Sequence, residues 1–134
     1  MIRDESELPP QIIARFERED ALYASCPSGW LPLVIELDAK LAELAPTYTV
    51  QQIKEKFAGL RYYVEIPLYG DGSARNKAYD LISEYEERSY RICDMCGSTE
   101  GKEHSIGGWM RTLCTTHAEE TGASILQRKE KNIT

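Results

Sequence analysis

The chain has 134 residues, within the size range of one domain or of one core with a small satellite, which excludes a large multidomain enzyme. Apolar residues make up 42% and charged residues 28%, the composition of a folding globular chain and not of a mainly disordered one. The formal net charge of −6 works against phosphate-rich partners, because an acidic chain gains little from the counterion release that drives most nucleic-acid binding.

The opening residues, Met1-Ile2-Arg3-Asp4-Glu5-Ser6-Glu7, are polar and acidic and lack the apolar stretch of a secretory signal. No later apolar run approaches the roughly 20 residues needed to cross a bilayer, so the expectation is a cytoplasmic protein without membrane association. Residues 1–10 read as a flexible arm ending in Pro9-Pro10. A short helix is expected over about 11–21, with Ile12, Ile13 and Phe16 on its apolar side, followed by a loop from Tyr23 to Pro27. The clearest helix covers about 28–45, where Trp30, Val34, Leu37, Leu41 and Leu44 recur at spacings of four and three and form one apolar stripe. Ser28 is its candidate cap, Pro32 is tolerated in its first turn, and Pro46 stops it.

From about residue 48 to 66 the period changes to two. Leu60, Tyr62, Val64 and Ile66 alternate with Arg61, Tyr63 and Glu65, as a half-buried strand requires, and a hairpin joined through Ala58-Gly59 is expected. The spacing of Val50, Ile53 and Phe57 would equally suit a short helix in place of the first strand. Tyr69-Gly70-Asp71-Gly72 reads as a turn, and a third helix is expected over about 73–90. The body therefore spans 11–90, a metal-binding segment 91–126, and a frayed tail 127–134.

Four cysteines in a reducing compartment point to metal ligands or free thiols, and the spacing decides between them. Cys93-x2-Cys96 is followed, after seventeen residues, by Cys114-x2-His117, a spacing that wraps three thiolates and one imidazole tetrahedrally around Zn²⁺. Gly97 supplies the positive φ of a knuckle after the first pair. Cys114 and His117 fall where a strand gives way to the first turn of a helix, whose dipole favours the Cys114 thiolate. With Gly107-Gly108 as a turn and Trp109 to Leu113 as a strand, the order is knuckle, hairpin, helix, as in a treble-clef zinc finger. The fold class expected is thus α+β, helices packed on a small antiparallel hairpin with a treble-clef-like zinc module at the C-terminal end.

His104 is an alternative fourth ligand, placed by composition in an exposed loop, and Cys26 stands alone as a small buried apolar residue. His117-Ala118-Glu119 matches the H-x-E of zinc deaminases, but there it precedes the C-x2-C pair, whereas here it follows. Four protein ligands leave no coordination position for an activated water, which speaks for a structural zinc and against a catalytic one, and no catalytic residue is assigned. Two histidines are too few for the paired-histidine metal nucleases, and neither a phosphate-cradling glycine loop nor a G-x-S-x-G elbow is present.

For binding, the basic and aromatic stretch of the hairpin is the strongest candidate. Lys54, Lys56, Arg61 and Tyr63 alternate with core-like residues, and Trp109 and Arg111 lie in the second hairpin. Such a surface suits unpaired bases or a protein interface.

Three blocks of the chain carry a resemblance. Gly29-Trp30-Leu31-Pro32-Leu33-Val34, the stretch Lys54-Glu55-Lys56-Phe57-Ala58-Gly59-Leu60-Arg61-Tyr62-Tyr63, and Cys93-x2-Cys96-Gly97 with Gly108-Trp109-x2-Thr112-Leu113-Cys114-x2-His117 together resemble small zinc-finger-like proteins encoded by bacteriophages and prophages. The resemblance, over about residues 28–117, implies a bacterial host cytoplasm, offers no established enzymatic activity to carry over, and suggests action by binding, for instance on a host defence or regulatory complex. The expected function is non-catalytic binding to a protein partner, with nucleic-acid binding as the alternative and a metal-dependent enzyme third.

Overall fold

The computed structural model describes residues 5–17 and 24–125, so the tail expected over 127–134 lies outside the described residues. The elements in chain order are β1 (Glu5–Glu7), α1 (Pro10–Ile13), β2 (Ser25–Pro27), a 3₁₀ turn (Ser28–Trp30), α2 (Leu31–Leu44), β3 (Thr49–Lys56) and β4 (Gly59–Glu65). They continue as α3 (Ser73–Ser89), β5 (Lys102–Ile106), β6 (Trp109–Leu113), α4 (Thr115–Thr121) and β7 (Ser124–Ile125). Three antiparallel sheets result: β1 with β2, β3 with β4, and the order β6-β5-β7. The protein is α+β, as its periodicities predict.

The main core forms where two helices close on one face of the β3–β4 hairpin. Trp30, Val34, Leu37 and Leu41 of the predicted stripe are all buried, facing Val50, Ile53, Leu60, Tyr62 and Val64 from the hairpin and Ala78, Ile82 and Tyr85 from α3. Cys26 joins this core, fully buried. A second, smaller cluster of Cys93, Leu113, Cys114 and Ala118 surrounds the candidate metal ligands. No helix among the described residues is long and apolar enough to cross a membrane.

Four expectations change. The helix expected over 11–21 ends at Ile13, because the following residues serve other elements. Arg15 Nε lies 2.9 Å from Asp38 Oδ1 on α2, and the Arg15 carbonyl accepts from the Val50 N–H at 2.9 Å, which a continuing helix would forbid. The arm is not free from residue 5 onward: Glu5–Glu7 pairs with Ser25–Pro27, turning the expected loop before Pro27 into a strand, and Leu8 is buried in the core. Ser28 does not cap α2; its hydroxyl donates to the Met95 carbonyl at 3.1 Å, and a 3₁₀ turn leads into the helix.

The hairpin turn, finally, is Phe57-Ala58 and not Ala58-Gly59. Phe57 and Ala58 both adopt positive φ, 53° and 74°, the conformation of a two-residue hairpin loop that glycine or asparagine usually fills. Gly59 is needed one position later, since a Cβ there would lie 2.3 Å from the Tyr90 ring. The strained turn is held by both its polar groups: the Ala58 N–H donates to Glu55 Oε2 and its carbonyl accepts from Thr112 Oγ1, each at 2.7 Å.

Two polar devices complete the body. Asp38 is buried on α2 and compensated by Arg15 and by the Tyr48 hydroxyl, which also lies 2.8 Å from the Tyr62 hydroxyl. The outer edge of β4 is closed by α3, whose Ser89 Oγ and Glu86 Oε2 accept from the N–H groups of Leu60 and Tyr62 at 2.8 and 2.9 Å. Burial raises the Glu86 pKa, and the Tyr62 N–H partly offsets that rise.

Candidate metal centre

α3 ends at Ser89, and the chain turns through Tyr90–Ile92 into the first pair of ligands. The Gly97 N–H closes the knuckle on the Cys93 carbonyl at 2.9 Å, with Gly97 at φ 82° as the spacing predicts. The second pair comes from the other end of the segment: Cys114 is the residue preceding α4, and His117 lies in that helix's first turn.

Folding brings the four ligands together. One donor atom from each of Cys93, Cys96, Cys114 and His117 lies within 4.8 Å of the others. The Cys96 and Cys114 sulfurs are 3.8 Å apart, and His117 Nδ1 is 3.6 Å from Cys93 Sγ and 3.2 Å from Cys114 Sγ. A tetrahedral zinc with Zn–S near 2.3 Å and Zn–N near 2.0 Å has edges of about 3.8 Å between sulfurs and about 3.5 Å from sulfur to nitrogen. The residues present therefore fit that ion. With Nδ1 turned to the sulfurs, the remaining ring N–H is at Nε2, which faces Glu120 Oε1 at 4.0 Å.

The thiols are not equivalent. Burial opposes ionisation of Cys114, but hydrogen bonds from the His117 N–H, the Cys93 and Cys96 thiols and the Thr116 N–H together outweigh it and hold this thiol below its ordinary value. Burial raises Cys96 instead, and neighbouring sulfur charge adds to the rise. Cys93 is fully buried, whereas Cys96 is exposed beside a groove of 510 Å³ lined by Ser98, Glu100, Thr115, Thr116 and His117. The cluster thus sits just under the surface, with four donors spaced to complete a tetrahedral coordination sphere.

The surrounding backbone is fastened to the body at several points besides α3. Successive residues of the 3₁₀ turn donate to three carbonyls at the knuckle: Ser28 Oγ to Met95 at 3.1 Å, Gly29 N–H to Asp94 at 2.9 Å, and Trp30 Nε1–H to Ile92 at 2.8 Å. The approach at Gly29 is so close that a Cβ would fall 2.1 Å from the Cys93 carbonyl oxygen. The Asp94 N–H donates to the Thr112 carbonyl at 2.8 Å, and the Thr112 hydroxyl holds the β3–β4 turn. Gly29, Trp30 and Thr112 carry the site without being ligands; in the sequence Trp30 stood out as part of the apolar stripe, and Gly29 and Thr112 only through the resembling blocks.

The other candidates separate by placement. His104 is not in a loop and not at the centre: it is buried in β5, its Nδ1 2.6 Å from the Lys102 carbonyl. Arg111 is corrected from a binding residue to an interior one. Only 3% exposed, it makes a two-pronged ion pair with buried Asp94, Nη2–Oδ1 2.6 Å and Nε–Oδ2 3.1 Å. Lys54, Lys56, Arg61 and Tyr63 do share the outer face of the β3–β4 hairpin, and Trp109 is exposed at the start of β6, in a different sheet.

No protein-family model, curated protein or solved structure matches the chain.

Proposed function

We propose that this protein is a zinc-stabilised, non-catalytic binding protein whose partner is another protein. The observation that carries the reading is the pairing of a filled Cys₃His donor set with a backbone tied into three parts of the fold. Three thiolates and an imidazole suit zinc, and with all four positions taken by protein no site remains for a reacting water. Bound zinc would supply a cross-link between the knuckle and the start of α4, and its consequence is a fixed surface. The order of knuckle, hairpin and helix supports a treble-clef-like description, and the resemblance to phage-encoded proteins supports a partner within a bacterial host, such as a defence or regulatory complex.

Metal analysis of the purified chain should give one zinc per molecule, lost together with thermal stability in the Cys93→Ser/Cys114→Ser variant. The zinc-loaded chain, immobilised in a bacterial host lysate, should retain a protein that this variant does not. A metal-free chain of full stability overturns the structural role of zinc, and hydrolysis of a substrate that depends on the bound metal overturns the non-catalytic reading.

A further inference from the structure

The outer face of the β3–β4 hairpin concentrates positive charge on an acidic chain. Pairing places Lys54 directly opposite Arg61, and Lys56 follows two residues on along the same face. Like charges directly opposite on neighbouring strands destabilise a sheet. None of these three cations forms an ion pair with a carboxylate among the described residues. The neighbouring carboxylates form no close pair with the two lysines: Glu55 binds the Ala58 N–H, Glu65 at the hairpin base accepts from Gln51, and Glu86, which accepts from the Tyr62 N–H, lends its charge to Arg61 alone among the three cations. Arg61 is oriented by Tyr90, whose hydroxyl accepts from Nη2 at 3.1 Å. Tyr63, 39% exposed, and Phe57, 60% exposed, bound the cations at either end.

We propose that this face docks an extended acidic segment of a protein partner. The inference rests on the binding function above and names the surface and the chemistry that would serve it. Lys54 and Lys56 are two positions apart along the strand, about 7 Å, the separation of alternate side chains on an extended peptide, so alternating carboxylates meet successive cations. The two bounding aromatics offer apolar contact at the ends of such a segment. Nucleic acid fits less well: the cationic stretch ends at Glu65, and a longer polyanion would run from it onto a molecule of net charge −6.

The test measures fluorescence anisotropy of a labelled peptide of alternating glutamate and threonine, a glutamine-threonine control, and a labelled oligothymidylate. The parent should bind the glutamate peptide in preference to both others, and Lys54→Glu/Lys56→Glu should weaken that binding by about tenfold or more. Zinc content should be unchanged and Tm equal or higher, since the double change removes a like-charge pair. Lys54→Gln, with a smaller perturbation, should weaken binding in the same direction, while Lys77→Glu on α3 should leave it unaltered. Parent-like affinity in the double variant, no binding by the parent, or preference for the oligothymidylate overturns the proposal. If a host protein captured by the zinc-loaded chain is held equally by the double variant, this face is wrong and the binding function stands. If the parent captures none, the functional reading itself fails.

Discussion

Gly29 shows how much a single missing Cβ can govern. It has no unusual φ; what it provides is room, because its backbone lies against the Cys93–Asp94 peptide and donates to the Asp94 carbonyl. Gly29→Ala forces the α2 start and the knuckle apart, and should cost about 1–3 kcal/mol of stability by overpacking, with weaker zinc retention against a chelator. Urea unfolding and zinc competition measure the two effects. Arg111 tests the opposite kind of interior residue: its removal takes the two-pronged guanidinium partner from the buried Asp94 carboxylate. Arg111→Ala is expected to lower stability by about 3–5 kcal/mol, far more than an exposed binding residue would. An Arg111→Ala chain with parental Tm would restore this residue to the list of surface candidates.

At the scale of elements, α2 and α3 are joined by a polar clasp as well as by their apolar faces. Glu36 accepts from the Tyr85 hydroxyl and from Arg88 Nη1 at 3.3 Å, and Arg88 stacks 4.5 Å over the Tyr85 ring. The Tyr85 hydrogen bond foremost, and then Arg88, hold the Glu36 carboxyl below its ordinary 4.5. A depressed carboxylate contributes stability that is present above pH 4.5 and lost as the pH falls through its folded pKa. Glu36→Gln should therefore lie below the parent at neutral pH, by no more than about 1 kcal/mol for so exposed a pair, and converge with it in acid. Thermal unfolding across pH 3–7 would show a constant offset if the clasp carried no charge contribution.

The same scale shows which elements were legible. The α2 stripe and the β3–β4 alternation are local patterns that burial rewards residue by residue; both are present, with α2 starting at Leu31 and the hairpin turn at Phe57-Ala58. β1 and β2 were not legible, because their pairing is made by main-chain groups that any sequence possesses. The helix expected beyond Ile13 failed for a related reason: Arg15 is required by a carboxylate twenty-three residues away, a demand absent from its own neighbourhood.

For the whole molecule, the candidate metal centre is less an appended module than a junction. The α2 start and the β3–β4 turn are both bonded to it, while the main core of Leu37, Leu41, Ile53 and Ile82 lies apart from the cluster around Cys93 and Cys114. Chelation should consequently produce a graded loss. Amide exchange at Gly29, Cys93, Asp94 and Gly97 is expected to accelerate strongly, with the central amides of α2 and β4 keeping most of their protection. Uniform acceleration across both clusters would mean a single cooperative unit instead.

By itself the sequence determined the candidate ligand set, the α+β class and the basic face of the hairpin, since each depends on spacing along one stretch of chain or on two short stretches of characteristic type. The tertiary structure alone decided that Gly29-Trp30, Ala58 and the knuckle meet, that Arg111 is interior, and that His104 is held away from the metal site. Those outcomes depend on hydrogen bonds and clearances between residues as many as sixty-seven positions apart, which local pattern does not encode.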